Sequence, residues 1–133
     1  MPGLLTHLFV GIASALLVHL IHMKGKYSFA VFFGNILPDI PKFGLTALKQ
    51  GTWHVFSIVQ DPFYRAVDAV TYDVSNWFAL GFFVFAVLLF LFHFHYIKEK
   101  TMEDYDLFYV YLLIGVFTHM VMDVFIIETS AWI

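Results

Sequence analysis

Three stretches of this chain run for about twenty residues each with almost no charge. They are Leu4 to Met23, about Trp77 to Ile97, and about Leu107 to Ile127. Twenty residues of helix, at ~1.5 Å per residue, match the ~30 Å hydrocarbon core of a bilayer. Three such runs in 133 residues leave little polar sequence to cover them in water. The chain is 61% hydrophobic and 13% charged, with mean hydropathy +0.81, against roughly half and a quarter in soluble domains. The reading is an integral membrane protein forming a single domain over 1–133, without internal repeat or low-complexity tract. The N-terminal run lacks a basic leader and a cleavage site, so it reads as a retained first helix and not a signal peptide.

A fourth, shorter run, Tyr27 to Leu37, barely passes the bilayer midplane as helix. Pro38 disfavours helical geometry at Leu37 and removes a backbone donor, so the helix should end there. The more polar region Lys42 to Ser75 predicts one or two amphipathic helices on the membrane surface. Asp61-Pro62 makes a helix start, with Val67, Val70 and Val74 near helical spacing behind it. The expected fold is therefore all-α: an integral membrane bundle of about four transmembrane helices, with an amphipathic interfacial segment between the second and third. Lys24, Lys26, Lys98 and Lys100 follow the first and third spans and vote for cytoplasmic loops. The N- and C-termini then lie outside. Lys42, Lys49 and Arg65, in the proposed outer segment, vote the other way.

This topology brings polar residues together. His7 falls near the outer end of the first helix, Asp39 just after the second, and His119 and Asp123 in the outer half of the last. Flipping the protein moves all four together. His119 and Asp123 are four apart, so they share one helix face. Imidazole and carboxylate suit a divalent ion, zinc above all, with iron or manganese as alternatives. No cysteine is present, so thiolate sites and disulfides are excluded. Ionisable groups inside spans are costly and face the bundle interior. Simpler roles stand beside ligation. His7 can hydrogen-bond at the interface, Asp39 can cap a helix starting near Pro41, and His119 with Asp123 can form a metal-free pair. His19, His22, His93 and His95 cluster near the opposite surface, where interfacial hydrogen bonding is the plainer reading. Trp53, Trp77 and Trp132 fit interfacial positions. Lys98 to Asp106 is a charged loop in which Thr101 and Asp104 form a helix-cap pattern. There is no basic stripe, phosphate loop or nucleophile elbow, which argues against nucleic-acid partners and nucleotide chemistry.

Three motifs carry a family resemblance. "THLFVG" (Thr6 to Gly11), "GNILPDIP" (Gly34 to Pro41) and "GVFTHMVMD" (Gly115 to Asp123) resemble, in order, the opening Thr-His, Gly-x-x-x-Pro-Asp and Gly-x-x-(Ser/Thr)-His-x-x-x-Asp elements of the membrane-bound metal-dependent hydrolases. These are prokaryotic proteins also described as LexA-binding, inner-membrane-associated hydrolases, similar in pattern to zinc-dependent phospholipases C. The resemblance implies a cytoplasmic-membrane location, metal ligation by His7, Asp39, His119 and Asp123, and hydrolysis of a phosphoester or lipid at the membrane surface. Pro41 stands where many members carry a second aspartate. The family's Thr-His-Ser element has two candidate counterparts here: "TWHVFS" around His54, and Tyr72 to Leu80, where Ser75 and Asn76 replace His-Ser. His54 or Asp73 then serves as general base. The alternative is a non-catalytic membrane subunit or scaffold, keeping the fold and packing against lipid, itself as a homo-oligomer, or a membrane protein complex. Bound metal separates the two. A transporter is disfavoured by the lack of an inverted repeat.

Overall fold

The computed structural model describes residues 4–97 and 103–125, with side chains outside the described set at residues 4, 55–56, 68–79, 97 and 124. Every regular element in the described residues is helical. They are α1 (Leu4–His22), α2 (Gly25–Ile36), α3 (Ile40–Gln50), α4 (Val55–Gln60), α5 (Pro62–Phe92) and α6 (Asp104–Phe125). A 3₁₀ turn, Leu37–Asp39, joins α2 to α3, and a π segment, His93–Ile97, ends α5.

Among the described residues, two helices are long and apolar enough to span a membrane: Leu5–His22 in α1 and Asp104–Asp123 in α6. In a soluble protein such helices are core helices. Here only 17% and 33% of the two spans are buried. Phe9, Leu16, Leu17 and Leu20 on α1 face outward. The apolar stretch Leu80–Tyr96 of α5 is shorter, and α2 has 12 residues.

Short as it is, α2 is the centre of the packing. Tyr27, Ala30, Val31, Gly34 and Asn35 are buried on it, wedged between α1 and α6. The wedge works because two glycines meet. A Cβ on Gly34 would collide with the Leu112 carbonyl and come within 3.2 Å of Gly115 Cα; one on Gly115 would collide with the Val31 carbonyl and come within 2.8 Å of Asn35 N. The α2 and α6 backbones therefore touch, the close-approach packing that small residues allow.

The α-hydrogen-bonded part of α2 stops at Ile36, before Pro38 as expected, but Leu37 keeps helical backbone angles (φ −55°, ψ −42°), contrary to the expectation that Pro38 would push it out of the helical region. The chain does not leave the bundle there. Pro38 sits at the start of the 3₁₀ turn and Pro41 at the start of α3. A missing N–H costs nothing at those positions. The path from α2 through the turn into α3 therefore stays helical in its backbone angles at Ile36, Leu37, Asp39 and Ile40.

The polar region differs from expectation in one respect. It forms two short helices, α3 and α4, but α5 then runs unbroken for 31 residues from Pro62 to Phe92, about 46 Å. No separate surface helix and span exist there, because no proline or glycine interrupts the chain between Pro62 and Gly81. Asp61 caps α5 as its sequence predicts, accepting the Phe63 N–H at 2.7 Å. It also accepts from Gln50 Nε2 and lies 3.7 Å from Lys49 Nζ, tying the end of α3 to the start of α5. The hydrogen bond from Gln50, then that from Phe63, holds its carboxyl below the usual carboxylate range.

At the opposite end of the bundle, Lys24, Lys26 and Tyr27 converge on Asp104. His22 Nε2 meets the Tyr111 hydroxyl, and His93 lies 3.7 Å from Asp106. Asp106 accepts the Glu103 N–H at 2.7 Å and so closes the start of α6. Trp53 is exposed. The expectations for Lys98, Lys100, Thr101, Trp132 and the Trp77 side chain lie outside the described residues.

The glycine contact is testable by thermal unfolding in detergent. Gly34→Ala or Gly115→Ala should destabilise the protein by about 1–3 kcal/mol through overpacking. Gly44→Ala, where an added Cβ meets nothing within 4 Å, should be neutral or slightly stabilising. Asp61→Ala should lower the unfolding midpoint at neutral pH. Because the folded carboxyl is depressed, its contribution is present above the unfolded pKa of ~3.9 and is lost as pH falls below it. The gap between wild type and variant should therefore close on acidification.

Candidate metal centre

His7 on α1 and His119 and Asp123 on α6 meet between helix ends. All three are buried, at 3%, 1% and 8% exposure. His119 and Asp123 face the same way because they are one turn apart on α6. His7 reaches them because α1 runs antiparallel to α2, whose far end lies against α6. His7 Nε2 is 3.4 Å from Asp123 Oδ1, and His119 Nε2 is 3.2 Å from Asp123 Oδ2. The two imidazole rings lie 4.2 Å apart, tilted by 36°. One ligand atom from each residue falls within 4.8 Å of the other two.

The protonation of His119 is constrained by its other nitrogen. Nδ1 lies 2.7 Å from the backbone carbonyl oxygen of Asn35. A carbonyl only accepts, so Nδ1 carries the hydrogen. In the neutral ring, Nε2 then presents a lone pair to the Asp123 carboxylate at 3.2 Å. Two lone pairs at that separation repel unless a cation stands between them. The cation is either a proton on Nε2 or a metal ion. Asp123 Oδ1 is buried and accepts no well-formed hydrogen bond. With a proton on His119, the ring N–H of His7, 3.4 Å away, is the group that can serve that oxygen.

The donor set fits a small divalent ion. Two imidazole nitrogens and a carboxylate suit zinc, iron or manganese. Ligand atoms around a tetrahedral ion, each ~2.1 Å from it, sit roughly 3.4 Å from one another. The 3.4 and 3.2 Å separations run to the two different oxygens of Asp123, and one atom from each residue lies within 4.8 Å of the others, near enough for a small ion to draw them in. A backbone carbonyl orienting the far nitrogen of a ligand histidine is the usual outer support of such sites.

Asp39 stands at the rim. Its Oδ1 is 4.0 Å from His119 Nε2 and 2.9 Å from Lys42 Nζ. It occupies the position before α3 with helical backbone angles, and its side chain makes no capping hydrogen bond. Its carboxylate is committed to Lys42 and the cluster. His54 is exposed in the α3–α4 connection, its N–H on Thr52 Oγ1 at 3.3 Å, and is not among the residues brought together. The side chain of Asp73 lies outside the described residues. Among the described residues, His19, His22, His93 and His95 form no comparable group.

Two participants were not recognised from sequence. The Asn35 carbonyl gives no side-chain signal. Lys42 counted only as a loop charge, although its three-residue spacing from Asp39 places the two side chains together on a helical path.

The chain was compared with protein-family models, curated proteins and solved structures, and none of them matches it.

Detergent-purified protein should carry about one zinc, iron or manganese ion per chain by elemental analysis. The His119→Ala/Asp123→Ala double variant should lose that ion while keeping its helical circular dichroism.

Proposed function

We propose that this chain is a membrane-embedded, metal-dependent hydrolase acting on a phosphoester or lipid substrate at the membrane surface. The bundle would cross the membrane with α1, α2, the apolar part of α5, and α6. The observation that carries the reading is the buried His7–His119–Asp123 group, with the His119 proton fixed on Nδ1 by Asn35.

His7, His119 and Asp123 would hold a divalent cation, which would supply the positive charge needed to acidify a water molecule and polarise a phosphoryl oxygen. The chain's own residues do the rest. Asn35 keeps the His119 Nε2 lone pair turned inward. Asp39, 4.0 Å from His119 and paired through the same oxygen with Lys42, would act as the general base. This gives Asp39 the role that the resemblance offered to His54 or Asp73. Asp39 and Asp123 against Lys42 leave the cluster one negative charge. A divalent ion reverses it to one positive charge, which favours an anionic substrate such as a phosphoester.

Helix α3 supports a lipid setting. Its buried residues include Lys42 and Thr46, whereas Ile40, Leu45 and Leu48 are exposed. With Ala47 also buried and Lys49 also exposed, the faces are mixed, but two polar side chains inside and three large apolar ones outside are unusual for a soluble amphipathic helix. This arrangement suits a helix whose apolar side lies in lipid and whose polar side faces the cluster. A substrate arriving from the bilayer would meet this helix first.

The scaffold reading is supported by the same His119–Asp123 contact when a proton takes the cation's place. Two results distinguish the readings. Metal-loaded protein should release product from phospholipid in mixed micelles, and chelation or Asp123→Ala should abolish it. Metal-free protein that cannot be loaded would leave a hydrogen-bonded structural network.

A further inference from the structure

Lys42 is a buried lysine, and lysine is rarely buried unless paired. Its partner is Asp39, three residues earlier, with side-chain exposures of 10% and 17%. The pair is not simply a surface staple of α3. Asp39 Oδ1 lies between two cationic or potentially cationic groups, 2.9 Å from Lys42 Nζ and 4.0 Å from His119 Nε2. Asp39 is thus the fourth carboxylate-or-imidazole side chain at the cluster, yet it stands outside the group whose ligand atoms lie within 4.8 Å of one another. The same oxygen of Asp39 already holds the Lys42 ammonium.

The distinction has a chemical meaning. Zinc sites with four protein ligands are closed and structural, and sites with three keep a position for water and substrate. We propose that Lys42 holds Asp39 out of the ligand set, and so keeps the His7–His119–Asp123 centre open. Lys42 is then a positioning residue, acting through Asp39. The proposal rests on the metal reading above. Without the ammonium, Asp39 is a largely buried carboxylate whose nearest countercharge is the metal, and it closes onto the ion.

A zinc competition titration on detergent-purified protein tests this with four chains: wild type, Lys42→Met, Asp39→Asn and the double variant, each checked for unchanged helical circular dichroism. Lys42→Met should tighten zinc by about tenfold, within the coupling that touching residues show. Asp39→Asn alone should change affinity little, and the double variant should bind as Asp39→Asn does. Lys42→Arg, which keeps the ion pair, should bind as wild type.

Equal tightening by Lys42→Met in the wild-type chain and in the Asp39→Asn variant would mean that the lysine only repels the ion, and would overturn the proposal. Unchanged or weaker binding in Lys42→Met would overturn it too. Wild type that binds no zinc at all would remove the metal reading and this proposal with it. Zinc binding with an additive cycle removes this proposal alone.

Discussion

The backbone contact between Gly34 and Gly115 is the constraint on which the other features depend. Any side chain there would push α2 and α6 apart. The Asn35 carbonyl follows Gly34 directly and accepts from His119, which lies one turn beyond Gly115. A displacement of one side-chain diameter between the helices would break that hydrogen bond and free the imidazole to turn. It would also carry the 3₁₀ turn, and Asp39 with it, away from α6. Helix proximity, the tautomer of His119 and the place of Asp39 are one linked geometry. This explains why a helix of only 12 residues carries so much of the buried surface in the bundle.

The two ends of α6 use charge in opposite ways. At one end Asp104 meets Lys24 and Lys26 with side chains about half exposed. Such pairs contribute little to stability, but they suit a membrane surface and fix the α1–α2 turn against α6. At the other end His7, His119 and Asp123 are nearly sealed from solvent. Burying these groups opposes folding unless a cation compensates. Side chains of similar volume and no charge would fill the space more cheaply.

Much of this was legible in the sequence, because periodicity and punctuation are local. The apolar runs of the first and last helices, the end of the α-helix before Pro38 and the Asp61-Pro62 start are written in adjacent residues, and the structure has them; the run from Trp77 is the apolar part of a longer helix. The i,i+4 spacing of His119 and Asp123 was equally local, and topology alone added His7. The unbroken α5 was hidden because polarity changes along it without any residue that breaks a helix. The Asn35 carbonyl was hidden because a backbone acceptor has no sequence signature. Lys42 was visible but misread, since a charge counted for topology conceals what it touches. Of the groups offered as bases, His54 depended on the alignment of a loop, where spacing constrains position least.

The buried polar and exposed apolar residues of α3 join these strands. In water, Leu45 and Leu48 would be buried, and Lys42 would be solvated. The reverse arrangement costs free energy in water twice over, once for each face. An apolar surrounding would remove the first cost, and the Asp39 carboxylate beside Lys42 removes the second. Lys42 and Asp39 thus set a largely buried ion pair beside the His7–His119–Asp123 group, while Leu45 and Leu48 on the same helix are exposed.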